Sequence, residues 1–231
     1  MNSGLISDGF EVVRGVLDDA RVQVLREEFE RLAPIHAAFR NGAAFGMRGV
    51  MAQSDAVREI AHSSTLTRLV APILGNKAKP VRSIFFDKTP QANWPLPWHQ
   101  DRVIALASRH GVDRFNKWTL KGGVDHAEPP VAMLKSITTV RLHLDPCDET
   151  NGALRVMGGF HNDLLSAECL ATFRESDQVK TLTVAAGDAV LMRPLTPHSS
   201  QKSSSARRRR VLHIEYCSAQ LPDPLQWKEA A

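Results

Sequence analysis

The sequence predicts a mostly β chain with helices flanking the strands, and two observations carry that expectation. Helix-type spacing of apolar residues is confined to the N-terminal part and ends near Leu74. From Pro80 onward, short strand-like runs recur between turn signals such as Asn151-Gly152 and Gly187-Asp188. At 231 residues, the chain is long enough for one domain with a substantial core.

The elements follow in order. Phe10–Val13 reads as a short strand. Asp18 can cap a helix running to about Leu32, with Val22, Leu25, Phe29 and Leu32 on one stripe and Pro34 closing it. Gly42–Gln53 is rich in Gly and Met and is read as irregular, with Arg48 on the surface rather than at a ligand. Helices are expected near Asp55–His62 and Thr65–Leu74, the second stopped by Gly75. The part up to residue 79 is thus mainly helical, and residues 80–218 carry the strands.

Within the second part, Ala107–Pro130 breaks the strand pattern. A connection that long is usually functional or disordered. It leaves the strand that bears His99 and is read as a lid, with Gly122-Gly123 as a hinge and Trp118 as apolar cover. His110 and His126 are read as ordinary loop residues and His161 as structural. Ala153–Met157 and Thr181–Val184 read as strands, and 162–177 as helical or irregular. The tail 219–231, with Trp227, is expected to pack back on the N-terminal helices.

Composition narrows the function classes. No apolar run is long enough to span a membrane, and the N-terminus has no signal-peptide pattern. Cys147, Cys169 and Cys217 are odd in number and lack C-x-x-C spacing, so a reduced, cytoplasmic enzyme is expected. The formal charge is +4, and much of the excess sits in Arg207-Arg208-Arg209-Arg210. There is one tyrosine and no nucleic-acid motif, so a small-molecule substrate is expected rather than nucleic acid. A monomer or a homodimer would both be compatible.

The chemistry-bearing pattern is His99-Gln100-Asp101 with a distant His198. On a strand, His-x-Asp puts an imidazole and a carboxylate on one face. A second histidine from a neighbouring strand would complete a cap of two nitrogens and one carboxylate. That cap leaves the opposite coordination positions open, as in non-haem Fe(II) enzymes. His143-Leu144-Asp145 has the same spacing, but Asp145 runs straight into the turn-rich stretch 146–152 and reads as a strand-end residue. The flanks of the first copy therefore favour His99 and Asp101.

Longer stretches resemble the phytanoyl-CoA dioxygenase family of Fe(II)/2-oxoglutarate-dependent oxygenases. They are Asp8–Val13, Phe86–Pro90, Trp94–Asp101, Thr139–Leu144, Asn151–Val156 and His198–Tyr216, in the family's order along nearly the whole chain. The resemblance implies a double-stranded β-helix (jelly-roll, cupin-like) core with the N-terminal helices packed on one sheet. It implies Fe(2+) held by His99, Asp101 and His198, with 2-oxoglutarate and O2 as co-substrates. The family usually has a proline and a serine just before the histidine at His161; this chain has Gly158-Gly159-Phe160.

In the family, an arginine eleven residues after the distal histidine binds the far carboxylate of 2-oxoglutarate, and a serine two residues after it helps. Those positions are Arg209 and Ser200. Alternation alone leaves the arginine open: Arg207 and Arg209 share a face with Val211, His213 and Glu215, while Arg208 and Arg210 share the more apolar face with Leu212, Ile214 and Tyr216. The family register selects Arg209, and the other three arginines are read as a solvated basic strand end. Arg141 and Lys88 are further candidates for lining the pocket.

The activity implied is oxidative decarboxylation of 2-oxoglutarate coupled to hydroxylation, or a related C–H oxidation, of a small organic substrate. A halogenase on the same scaffold loses the carboxylate ligand, and Asp101 is present. A cupin-type metal enzyme independent of 2-oxoglutarate would not need Arg209 and Ser200.

Overall fold

A computed structural model describes residues 3–229. The N-terminal part holds α1 (Ser3–Ser7), β1 (Phe10–Val13), α2 (Asp19–His36), β2 (Ala38–Arg40), β3 (Ala43–Arg48), α3 (Asp55–His62) and α4 (Ser64–Leu74). The strands that follow are β4 (Lys79–Lys88), β5 (Leu96–His99), β6 (Ile104–Leu106), β7 (Asn116–Lys121) and β8 (Val124–Glu128). After the short helix α5 (Val131–Lys135) come β9 (Ile137–His143), β10 (Leu154–Val156), α6 (Ala167–Thr172), β11 (Lys180–Thr181), β12 (Ala189–Met192), β13 (His198–Ser200) and β14 (Arg209–Cys217).

The strands form an antiparallel seven-stranded sheet, β1-β12-β9-β14-β4-β3-β2, and a four-stranded sheet, β11-β10-β13-β5. Together they make the double-stranded β-helix. The helices cover one face of the larger sheet. Val22, Leu25, Phe29 and Leu32 of α2 and Leu66 and Val70 of α4 join Phe85, Leu142, Leu212, Ile214 and Tyr216 in one buried cluster. Tyr216 donates its hydroxyl to the Ala61 carbonyl at 2.6 Å, so the one tyrosine is satisfied where it is buried. The alternation in β14 is thereby resolved: Leu212, Ile214 and Tyr216 face the helices, and the intervening residues face the barrel interior. Truncating Phe29 here should cost about 3–5 kcal/mol.

Several sequence expectations are corrected. Asp18 does cap α2, accepting from the Arg21 amide at 2.8 Å, but Pro34 lies inside the last turn rather than ending it. Gly42–Gln53 is not irregular throughout, because β3 pairs with β4, Arg48 standing opposite Ile84. Ala107–Pro130 is not a strand-free connection. It contributes β7 and β8 to a three-stranded sheet with β6. Gly122 and Gly123, at φ 58° and 75°, form its tight turn, which requires left-handed backbone at both positions. His126 is a fully buried residue of β8, not a loop residue. Trp118 packs with Phe115, Leu106 and Leu134 in a second cluster.

The tail does not return to the N-terminal helices. Trp227 bridges Leu106 of β6, the Ala107 amide donates to the Gln226 carbonyl at 2.9 Å, and Leu225 and Trp227 enter the second cluster. The apolar surface it covers is that of the small sheet. Among the described residues, no helix is long and apolar enough to cross a membrane.

Candidate metal and co-substrate site

His99 ends β5, and its register partner across the ladder is His198 of β13. Asp101 lies two residues beyond the strand, where its amide donates to the Pro194 carbonyl at 2.8 Å. The His-x-Asp pair is therefore only half in strand, and a loop hydrogen bond rather than the pleat alone fixes the carboxylate. Gln100 is buried between them, donating to the carbonyls of Leu195 at 2.7 Å and Asp163 at 2.9 Å.

The two imidazole centroids are 4.1 Å apart. His99 Nε2 is 3.8 Å from Asp101 Oδ1, and His198 Nε2 is 3.7 Å from Asp101 Oδ2. Both distances exceed a hydrogen bond. Each Nδ1 faces a backbone carbonyl, Pro97 at 2.8 Å for His99 and Thr196 at 2.9 Å for His198. A carbonyl can only accept, so each Nδ1 carries the proton and each Nε2 presents a lone pair. Burial, then the neighbouring His99, pushes the His198 ring down to about 3, which keeps it neutral. Burial favours a protonated Asp101, but His198, His99, His213 and the Arg82 cation together outweigh it and hold the carboxyl below its usual range. Three acceptors thus converge with no donor between them. Such a set fits a cation, and two nitrogens with one carboxylate fit a first-row metal such as iron. Among the described residues this is the one cluster of its kind.

The three groups line a cavity of about 300 Å³ together with Arg48, Arg82, Phe86, Trp94, Lys121, Arg141, Ser200, Arg209, His213 and Glu215. Arg209 is buried and donates Nη1 to the Gly152 carbonyl, while its Nε has no partner among the described residues. Arg141 is similar: Nη1 donates to His213 Nδ1 at 3.1 Å, and Nε is unpartnered. Burial, then Arg209, lowers Arg141 to about 10. His213 then has its proton on Nε2 and donates to Glu215 at 3.2 Å, which also accepts from Arg82 at 2.8 Å. Lys88 Nζ, buried behind them, donates to the Gln201 carbonyl at 2.8 Å and approaches Ser200 Oγ at 3.3 Å. Burial, then Arg209, lowers it to about 7. Gly152, at φ 76°, is needed here: a Cβ would meet the Gln201 carbonyl at 2.8 Å and Lys88 Nζ at 2.9 Å. The buried, unfilled donors of Arg209 and Arg141 fit a small anion such as a carboxylate.

All seven predicted site residues come together, six lining the cavity and Lys88 standing against Ser200 behind it. The second His-x-Asp copy does not join them. Asp145 lies just past the end of β9, as expected, and its carboxylate is not free: it accepts from Arg210 Nη2 at 2.8 Å and pairs with Arg26 at 3.2 Å. Nor are the other arginines simply solvated. Arg208 grips Asp87 at 2.7 Å and Arg207 grips Asp148 at 2.5 Å. Sequence reasoning left Arg48 at the surface and missed Arg82, Lys121, His213 and Glu215. Arg82 carried a usable signal, since it alternates with Ile84, Phe86 and Lys88 on one face of β4.

The Phytanoyl-CoA dioxygenase (PhyH) family profile matches residues 6–211. The chain belongs to the phytanoyl-CoA dioxygenase family. Solved structures share its fold at low identity. EctD from S. alaskensis in its apoform superposes with a TM-score of 0.75 at 17% identity, covering 96% of this chain and 78% of that one. AviO1 from Streptomyces viridochromogenes Tue57 gives 0.69 at 20% identity, over 95% and 94%. HygX from Streptomyces hygroscopicus, with nickel and 2-oxoglutarate bound, gives 0.66 at 16% identity, over 95% and 86%. No curated protein matches the chain.

Proposed function

We propose that this protein is an Fe(II)- and 2-oxoglutarate-dependent dioxygenase that hydroxylates a small organic substrate in the cytoplasm. The observation that carries the reading is the convergence of His99 Nε2, His198 Nε2 and an Asp101 oxygen, whose ligand atoms all lie within 4.8 Å of one another. Family membership and the bound 2-oxoglutarate of the HygX structure support the same assignment.

His99, Asp101 and His198 would hold the metal, and their two Nδ1–carbonyl hydrogen bonds would fix both rings in the ligating tautomer. Iron, when bound, supplies the activation of dioxygen and the oxidative decarboxylation of 2-oxoglutarate. Arg209 would bind the far carboxylate of 2-oxoglutarate, assisted by Ser200 and Lys88, with Arg141 lining the wall beside it. A guanidinium held by the Gly152 carbonyl is oriented before the co-substrate arrives, which lowers the ordering cost of binding. The β7–β8 hairpin would act as a lid, since Lys121 at its tip lines the cavity.

Asp101 favours hydroxylation over halogenation, because it fills the position a halide would need. Arg209 and Ser200 favour 2-oxoglutarate dependence over cupin-type metal chemistry. The test is succinate formation from 2-oxoglutarate in air with Fe(II), alongside anaerobic titration of the Fe(II) protein with 2-oxoglutarate, read by charge-transfer absorbance. Metal binding without that absorbance and without succinate would overturn the reading.

A further inference from the structure

We propose that the primary substrate carries an oxyanion, a carboxylate or a phosphate, and that Arg48 and Lys121 hold it at the end of the cavity away from Arg209. The inference deepens the reading above and rests on it.

Charge motivates it first. Five cations line the cavity, Arg48, Arg82, Lys121, Arg141 and Arg209, against two carboxylates, Asp101 and Glu215. A divalent metal and a 2-oxoglutarate dianion offset each other, so the excess of three positive charges persists in the loaded site. Glu215 is already engaged by Arg82 and His213. Among the described residues, neither Arg48 nor Lys121 has a carboxylate partner, and Arg48 Nε is buried with no hydrogen bond. Glu229, in the adjoining cavity, accepts from the Ser83 amide at 3.1 Å and from the Ser83 hydroxyl. Burial and then Arg82 depress the Arg48 guanidinium; burial, Arg82 and Arg48 depress Lys121, and Asp101 offsets only part of that. Arg48 and Lys121, beside the Glu215-bound Arg82, therefore crowd one end of the cavity, where an anion would relieve both their repulsion and their desolvation.

Position excludes the co-substrate as that anion. Arg209 pairs with Lys88 across β14–β4, whereas Arg48 stands opposite Ile84, four residues back along β4. That separates the two arginines by roughly 13 Å along the strand and by two strands laterally. A five-carbon diacid gripped by Arg209 and anchored at the metal ligands cannot also reach Arg48. Lys121 arrives from the β7–β8 hairpin, so the two cations close on one point from different sheets. An oxyanion there would hold the rest of the substrate between Arg48 and the histidines, which is where a C–H bond must lie.

The test uses full-length protein loaded with Co(II) and 2-oxoglutarate. Inorganic phosphate and acetate are the probes, followed by 31P and 13C relaxation, which reports both occupancy and nearness to the paramagnetic ion. Saturable relaxation of at least one probe is expected with 2-oxoglutarate still bound, and the probe that binds distinguishes phosphate from carboxylate recognition. R48Q and K121Q should each weaken that binding about tenfold or more. 2-Oxoglutarate binding by both variants should stay within about twofold of wild type, as for sites this far apart. K121Q changes an exposed hairpin residue and keeps the test open if R48Q folds poorly. Binding of neither probe, binding that survives both substitutions, or probe binding that expels 2-oxoglutarate would overturn the subsite. Failure to take up 2-oxoglutarate at all would overturn the proposed function as well, and charge-transfer absorbance of the Fe(II) form separates the two failures.

Discussion

His198 stands directly across the β13–β5 ladder from His99, so that backbone pairing itself sets the spacing of the two rings. Removing any member of the set should therefore affect the metal and not the ladder. His99→Ala, Asp101→Ala and His198→Ala should each weaken Fe(II) binding by well over the roughly 10–100-fold expected for an outer-shell partner, and abolish succinate formation. His143→Ala should leave Fe(II) affinity near wild type. Metal titration of the four variants checks this, and loss of binding in His143→Ala would reopen the assignment.

Asp145→Ala should lower stability without affecting the metal. The carboxylate is nearly buried and holds both Arg210 and Arg26. Stripping a buried pair of its acid leaves uncompensated cations and costs about 3 kcal/mol. Denaturant unfolding should reveal that loss, while Fe(II) affinity measured under native conditions stays unchanged.

Arg209→Ala should raise the 2-oxoglutarate requirement far more than Arg208→Ala or Arg210→Ala. Truncating one partner of a buried charge pair costs on the order of 2–5 kcal/mol. Arg208 and Arg210 instead face Asp87, Asp145 and Glu30 on the other side of the sheet. Steady-state titrations of 2-oxoglutarate distinguish the cases, and a dominant effect of Arg210→Ala would refute the register.

Lys88 should make co-substrate binding depend on pH. Its folded value, about 7, lies below the unfolded value of about 10.4. Between those limits the unfolded chain retains a proton that the folded chain has released. Lys88's contribution to stability therefore rises with pH across that window and is least below pH 7. A bound dianion favours the charged amine, so binding should take up a proton above about pH 7 and weaken as pH rises further. Calorimetry in buffers of different ionisation enthalpy measures the uptake. Lys88→Met should remove it, and an unchanged proton count would discount Lys88 as a contact.

The β7–β8 hairpin should slow its amide exchange when metal and 2-oxoglutarate are joined by a ligand that engages Lys121. The outward residues of β7 are exposed, and its turn rests on two glycines. Exchange rates in residues 116–124 that are equal with and without ligand would leave the hairpin a static wall.

Much of this was legible in the sequence because it rested on period and spacing. The α2 stripe, the β14 alternation and the His99–Asp101–His198 set all survive in the structure. What escaped had weak local signals. β3 reads Ala-Ala-Phe-Gly-Met-Arg, with neither branched residues nor alternation, so Arg48 could not be assigned a face. β7 is polar because it is exposed, and its Gly-Gly turn resembles a hinge as much as a hairpin. The ion pairs of Asp145 left no local trace, because its partners, Arg210 and Arg26, are 65 and 119 residues away.

The four consecutive arginines have a consequence for how β14 finds its place. A strand whose neighbouring residues are identical is poorly protected against slipping by one position, since arginine would again meet the co-substrate end of the site. Nor do the acids outside the barrel discriminate, because a slip that moves each residue on by one would bring Arg207 and Arg209 to Asp87 and Asp145 in place of Arg208 and Arg210. The register is guarded further along, where the same slip would turn Leu212, Ile214 and Tyr216 from the helices toward a wet interior. The apolar half of β14 thus acts as the proofreading for its basic half.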